Sequence, residues 1–238
     1  MEREQEQQLL EIVRRNYQEI ATEFDLTRKK EIWPEIREFA LEVKDNNSVL
    51  DVACGNGRLI EALKDKKINY LGVDNSSNLI ELAQKNYPHH KFMVEDMLDL
   101  KNIENNKYDF VFCLAALQHI PGYDLRIKVL REMADKLNSD GKLIVSNWNL
   151  WGHKKYRPQL FKNYFLKLVG KNKLGFNDLL FPSKFHLASQ DKRELSDRYY
   201  HAYTKKELKK LARLANLEIQ ALRRDKYNFW LVLKNYKS

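Results

Sequence analysis

The sequence lacks any apolar run long enough to cross a bilayer, which excludes a protein built on helical membrane spans. Its opening stretch, MEREQEQQLLEIVRR, is charged throughout, so it predicts neither a signal peptide nor an anchor. Cysteine is scarce: Cys54 and Cys113 alone cannot build a disulfide framework, and their spacing is not that of a zinc site. Thiols placed in apolar segments predict a reducing, cytoplasmic setting. Repeats and low-complexity tracts are also missing. What remains is a chain of 238 residues, 43% hydrophobic, enough to bury one large core as a single domain.

Charge is present but segregated. Residues 1–150 hold 21 Lys and Arg against 26 Asp and Glu, a net of −5. Residues 151–238 hold 21 against 7, a net of +14. A lysine-rich surface also serves solubility, but segregation of this size is the electrostatic footprint expected for a polyanion such as nucleic acid.

Periodicity predicts helices over residues 4–23, with Leu9, Ile12, Val13, Tyr17 and Ile20 on one face, and from Trp33–Pro34 to Val43. Short apolar strands then alternate with helices. SVLDVA leads through a glycine turn to a helix over Arg58–Lys66, and INYLGVD to a helix with a serine cap and a proline stop. KFMVEDM, YDFVFCLAAL and KLIVSNW are further strands, with a helix over Asp124–Leu137 before the last. Near-continuous apolar strands separated by helices predict an α/β fold, a doubly wound and mostly parallel sheet covered on both faces. Residues 151–197 break the rhythm and read as a basic, aromatic insertion. A helix over Lys205–Asn216 and the strands EIQALRR and NFWLVLKN close the chain, the last running antiparallel. The expected organisation is a helical cap over 1–45, a cofactor-binding core over 46–150, the insertion over 151–197 and closing elements over 198–238.

In such a sheet ligands bind beyond the carboxyl ends of the strands. DVACGNGRL lies at the first of these ends: Gly55 and Gly57 permit positive φ and close approach to the backbone, and Asp51 adds a carboxylate. Asp74 ends the second strand, where a carboxylate can accept bonds from both hydroxyls of a ribose. Asp96–Met97 ends the third, pairing an acceptor for an amino group with an apolar surface for a purine. Each feature alone is also a common turn or cap. Together they point to a nucleoside-bearing cofactor. The third glycine of a dinucleotide fingerprint and the Gly-Lys-Ser/Thr of a phosphate loop are missing.

The order D-x-A-C-G-x-G-R, then G-V-D, then E-D-M resembles the class I S-adenosylmethionine-dependent methyltransferases, over roughly residues 46–150. The resemblance implies a Rossmann-like, seven-stranded sheet with S-adenosylmethionine on it. It implies that the loop Asp51, Cys54, Gly55, Gly57 holds the methionine portion, that Asp74 with Asn75 holds the ribose, and that Asp96 and Met97 hold the adenine. Cys113, Leu114 and Ala115 would run beside the sulfonium. Two outer segments narrow the resemblance: NYQEIATEFDLTRKKEIWPEIREF, and RYYHAYTKKEL with its tail YNFWLVLKN. With LQHIP at 117–121, they resemble the tRNA wobble-uridine carboxymethyl methyltransferases, including the methyltransferase half of the AlkB-like tRNA-modifying protein. The sequence departs from that pattern twice: Ser139–Asp140–Gly141 stands for a paired glycine in a turn before the fifth strand, and LQHIP for a paired histidine.

The implied reaction is methyl esterification of a 5-carboxymethyluridine-type base in the anticodon loop of tRNA. A carboxylate is already ionised at neutral pH, so the chemistry asks for positioning rather than a strong base. Arg28, His119 and Arg198 are the candidates to hold it; Trp148, Tyr199 and Tyr200 are the candidates to line the base pocket by stacking. The packing alternatives are that Arg28 answers acidic helices, His119 caps a turn, Trp148 ends a sheet in the core and tyrosines anchor the hairpin. The resemblance also implies a small zinc-binding activator protein as partner; no membrane partner is expected. Competing readings are a small-molecule O- or N-methyltransferase on the same fold and a non-catalytic tRNA-binding protein.

Overall fold

A computed structural model describes residues 2–27, 32–182 and 197–236. Two helices open the chain, α1 (Arg3–Glu19) and α2 (Ala21–Thr27), followed by α3 (Pro34–Glu42), whose proline occupies the first turn, where no helical N–H is needed. The alternating core comprises β1 (Ser48–Val52), α4 (Ile60–Leu63), β2 (Asn69–Asp74), α5 (Ser77–Asn86), β3 (Lys91–Val94), β4 (Tyr108–Leu114), α6 (Tyr123–Ala134) and β5 (Leu137–Trp148). Then come α7 (Arg157–Leu168), β6 (Asp178–Pro182), β7 (Asp197–His201), α8 (Lys205–Leu214), β8 (Leu217–Arg224) and β9 (Asn228–Asn235).

Seven strands form one sheet in the order β3-β2-β1-β4-β5-β9-β8. The pairs among β3, β2, β1, β4 and β5 are parallel, and β9 runs antiparallel to both β5 and β8. The winding reverses between β1 and β4, which places the ligand crevice of such a sheet at the carboxyl ends of those strands. One face is packed by α6 and α8 through Val129, Leu130, Met133, Leu208 and Leu211. The other is packed by α3, α4 and α5 through Ile36, Phe39, Ile60, Leu63, Ile80 and Ala83. Both strand faces are thus apolar, which is why the strands read as near-continuous hydrophobic runs. Among the described residues no helix is long and apolar enough to cross a membrane.

Two local expectations are corrected. Ser139–Asp140–Gly141 is not a turn before the fifth strand, because β5 starts at Leu137 and pairs with β4 through an irregularity between Tyr108 and Phe110. The helix expected over Arg58–Lys66 is only the single turn of α4, since tighter turns flank it. The region expected as an insertion carries α7 and β6. In turn β6 pairs antiparallel with β7 as a separate two-stranded ribbon, Leu179 facing Tyr200 and Leu180 facing Tyr199.

Candidate active site

At the sheet's switch point a cavity of about 340 Å³ opens over the carboxyl ends of β1, β2, β3, β4 and β5. Its floor is Asp51, Cys54, Gly55, Asp74, Asn75, Asp96, Met97, Leu114 and Ala115. The turn that shapes it is conformationally demanding: Ala53 and Ala115 both hold left-handed φ values, 58° and 52°, at the ends of β1 and β4. Strain at non-glycine residues of this kind is usually kept where function requires the backbone shape. Gly55 (φ 58°) lies under Phe24 of α2, and a Cβ there would sit 3.1 Å from that ring.

Asp74 is the keystone of the floor. Its Oδ2 accepts from the Gly55 N–H at 2.9 Å and its Oδ1 from the Ser76 N–H at 3.0 Å. A carboxylate offers about four lone-pair directions, so acceptor capacity remains for ligand hydroxyls. Burial is the main cause that lifts the Asp74 carboxyl to about 6, against the lowering pull of the Ser76 and Gly55 amides. Asp51, also buried, accepts from the Tyr70 hydroxyl at 2.8 Å. Its carboxyl is pushed up to about 7, chiefly by burial, with the Asp74 charge adding to the rise against the Tyr70 bond. Buried carboxylates held this far from their ordinary range gain most from an incoming cation or hydroxyl donor. Five acids line the cavity (Glu11, Asp51, Asp74, Glu95, Asp96) against two arginines, Arg14 and Arg58. That balance fits a cofactor carrying a sulfonium, an ammonium and a ribose better than one carrying a pyrophosphate.

The roof comes from α1 and α2, through Leu10, Val13, Arg14, Tyr17 and Phe24. Polar side chains latch it to the floor: Gln18 bonds Ser77 and Ser76, and Asp25 receives Asn56 and Asn86. At the far wall stand His119, Ile120 and Trp148. His119 Nδ1 lies 3.1 Å from the Tyr199 carbonyl oxygen, which can only accept, so Nδ1 carries the proton. Nε2 is then an acceptor, and the Tyr17 hydroxyl donates to it at 2.9 Å. Burial first, with the Arg198 charge assisting, pushes the imidazole down to about 4, against the pull of the Tyr199 carbonyl. His119 is therefore neutral at pH 7, with both nitrogens engaged inside the protein. NMR on ¹⁵N-histidine-labelled protein should find this ring neutral and Nδ1-protonated down to about pH 5. Tyr17→Phe should leave Nε2 without its donor and cost about 1–3 kcal/mol of stability in urea unfolding.

Of the residues singled out from sequence, Asp51, Cys54, Gly55, Asp74, Asn75, Asp96, Met97, Leu114, Ala115, His119 and Trp148 share this cavity. Gly57 lies behind it, facing Tyr87 and Phe92, and Cys113 is fully buried in the core of the sheet. Arg198 and Tyr199 line a small adjoining recess with His119, Tyr17 and Val13. Tyr200 is buried there too, its ring parallel to Trp148 at 5.1 Å and tilted against His119 at 4.8 Å. It backs the cavity wall rather than lining the cavity. Tyr199 is a packing residue on this geometry: its side chain is fully buried and its hydroxyl donates to Asp178 at 2.8 Å while accepting from Arg126 at 2.9 Å. Arg28 lies outside the described residues.

Sequence reasoning missed the roof as a source of site residues, although Val13 and Tyr17 stand on the apolar helical face it had identified. It also missed a buried ionic cluster behind the recess. Arg126 (α6), Asp178 (β6), His201 (β7) and Glu207 (α8) meet there, with His201 Nδ1 2.6 Å from Asp178 and Nε2 2.7 Å from Glu207. No signal in the sequence links these residues.

The fold and the sequence both have known relatives. Residues 49–141 match the family described as "Methyltransferase domain". The Saccharomyces cerevisiae protein named tRNA (carboxymethyluridine(34)-5-O)-methyltransferase is 34% identical over 59% of this chain and 49% of its own length. The protein of the same name from Schizosaccharomyces pombe is 25% identical over 93% of this chain and 95% of its own. That named alkbh8 in Xenopus tropicalis is 26% identical over 94% of this chain and 41% of its own. The chain thus spans about half or less of two of these relatives and nearly all of the third. Among solved structures, a SAM-dependent methyltransferase from Methanosarcina mazei superposes with a TM-score of 0.70 at 19% identity, covering 88% of this chain and all of that one. A methyltransferase from Haloferax volcanii, solved with its activator Trm112, superposes at 0.57 and 15% identity, over 84% of this chain and 88% of that one.

Proposed function

We propose that this chain is a class I S-adenosylmethionine-dependent methyltransferase that methyl-esterifies the carboxylate of a 5-carboxymethyluridine-type wobble base in tRNA. The observation that carries the cofactor half is the convergence of Asp51, Asp74 and Asp96 on one cavity. The substrate half is supported by the names of relatives that align with over nine-tenths of the chain. A basic C-terminal third suited to RNA phosphates adds to it.

When bound, the cofactor supplies a sulfonium methyl group, which passes to a substrate carboxylate oxygen while the S–CH₃ electron pair stays on sulfur. Asp74 takes the ribose hydroxyls, Asp51 faces the ammonium, and Asp96 with Met97 frames the adenine. The chain needs no strong base, because the nucleophile is already an anion. Neutral His119, with both nitrogens taken, fixes the Tyr17 hydroxyl and the wall rather than moving a proton. The cations for the carboxylate's second oxygen are then Arg28 and Arg198, of which Arg198 lines the recess beside His119. Trp148, backed by Tyr200, stacks on the uracil. A small activator protein of the kind bound to the Haloferax neighbour belongs to the proposal, as does a cytoplasmic setting.

Incubation with labelled cofactor and tRNA carrying unesterified carboxymethyluridine should yield a label released by mild alkali. Methylation of free small acids, with none on such tRNA, would sink the substrate assignment. Arg198→Ala should leave S-adenosylhomocysteine affinity within about threefold and lower kcat by roughly 10- to 100-fold, the loss of one charge-assisted hydrogen bond in the transition state. Turnover at the wild-type rate returns Arg198 to a packing role.

A further inference from the structure

The outer face of α7 has no part in the site just described. Its inner face is anchored by Leu160, buried with Leu150, Leu179, Tyr200 and Ala202, against which Trp148, Trp151 and Tyr156 pack. The opposite face is apolar and open: Phe161 and Phe165 are each 63% exposed and Leu168 61%, with Tyr164 and Val169 beside them. At about 100° per residue, these five positions form one continuous stripe around the helix. Phe176 adds a further exposed ring, tilted against Tyr164 at 5.1 Å.

An apolar helix stripe by itself suits a protein groove as well as anything else. What decides the occupant here is the charge around it. From His153 to Asn177 the chain carries Lys154, Lys155, Arg157, Lys162, Lys167, Lys171 and Lys173, and no Asp or Glu. All but Lys167 are exposed. Cations alternating with aromatic rings are the chemistry that binds unpaired nucleotides: lysine and arginine follow the phosphates while rings stack on splayed bases. The stripe is also continuous with the site. Phe161 meets Trp151 edge-on at 5.5 Å, and Trp151 packs on the cluster that holds Tyr200 behind the cavity-lining Trp148.

We propose that this face of α7 is a docking ledge for single-stranded RNA, where Phe161 and Phe165 stack on unpaired nucleotides flanking the target base and the surrounding lysines hold their phosphates. The inference rests on the tRNA reading above and specifies which part of the substrate is held away from the reacting centre. Neither phenylalanine belongs to the catalytic or cofactor machinery, and each is more than half exposed.

The test measures binding of a fluorescent single-stranded RNA of anticodon-loop sequence, alongside methyl transfer to tRNA, for the wild type and for Phe161→Ala/Phe165→Ala. The double variant should bind the RNA roughly tenfold or more weakly, raise KM for tRNA and keep both kcat and S-adenosylhomocysteine affinity. Lys162→Gln and Lys167→Gln should flatten the salt dependence of RNA binding by about 0.7 in log–log slope for each phosphate that is no longer neutralised. Unchanged RNA affinity and KM in the double variant overturns the ledge and leaves the reaction standing. A wild type that binds RNA through these rings yet never methylates tRNA overturns the reaction and leaves the ledge. Self-association of the wild type, abolished by the double variant with RNA affinity intact, makes the stripe an interface between copies and overturns the proposal.

Discussion

Asp74→Ala should abolish the thermal stabilisation that S-adenosylhomocysteine gives the wild-type chain. A ligand that binds only the folded state stabilises it by about 2.7 kcal/mol at a hundred times its Kd. For a chain of this length that is a rise in Tm of roughly 5–10 °C, by calorimetry or dye-based melting. Asp74 supplies the buried acceptors that remain after Gly55 and Ser76 have taken their share, and it also pins the Gly55 turn itself. Removing it strips the ligand of its partner and loosens the loop around it. Asp74→Asn separates these two effects. It keeps one acceptor, sets an amide N–H against a backbone N–H, and should lose most of the ligand shift while melting near the wild type. A full ligand shift in both variants would mean that Asp74 only organises the turn.

The same carboxyls fix how binding changes with pH. Asp74 at about 6 and Asp51 at about 7 sit above the roughly 3.9 of a free aspartate. Between about pH 4 and 7 the folded chain therefore binds more protons than the unfolded one. Stability from these groups is greatest at the acidic end of that window and falls as pH rises. A cofactor that donates hydroxyls to Asp74 and sets an ammonium near Asp51 favours the ionised forms. Its binding should release protons and strengthen as pH rises from about 5.5 to 7.5. Titration calorimetry in buffers of different ionisation enthalpy checks this, and an affinity flat across that range, with no proton release, contradicts it.

The legible parts of this fold were those with a short-range signature. Val49, Leu50 and Val52 read as a strand because both faces of β1 are buried, and Asp51, Asp74 and Asp96 read as a site because each ends a strand. The α5 cap was legible in the same way, since Ser76 accepts from Leu79 three residues on. What was opaque depends on distant partners. Tyr199 looks like a pocket residue beside Arg198, yet its hydroxyl is claimed by Asp178 and Arg126, 21 and 73 residues away. His119 looks like an available donor until the Tyr199 carbonyl and the Tyr17 hydroxyl are placed on its two nitrogens. The resemblance implies a turn at Ser139–Asp140–Gly141, and only the pairing of Leu137 with Tyr108 makes it strand.

Asp178→Ala should destabilise the chain by about 3–5 kcal/mol, the cost of leaving a buried charge without its partner. Asp178 is 1% exposed and Arg126 4%, and Asp178 Oδ1 alone takes the Arg126 guanidinium, the Tyr199 hydroxyl and His201 Nδ1. Carboxylates face both nitrogens of His201, Asp178 at Nδ1 and Glu207 at Nε2, and the Arg126 guanidinium lies beside both acids. Burial alone would raise the Asp178 carboxyl, but His201, Arg126 and Tyr199 together hold it below the ordinary range. Its contribution is thus present above about pH 4 and fades as pH falls below that. In Asp178→Ala the midpoint of urea unfolding should drop by about 1–3 M. Arg126→Met/Asp178→Leu should lose less than the sum of its single changes, because it leaves no orphaned charge. The loss should also reach the site. The cluster holds β7, β7 carries the Tyr199 carbonyl, and that carbonyl sets the tautomer of His119. A milder Asp178→Asn that stays folded should then slow methyl transfer while binding S-adenosylhomocysteine normally. If such a variant turned over at the wild-type rate with His119 still protonated on Nδ1, the cluster would be structural only, and the wall of the cavity would hold its shape without it.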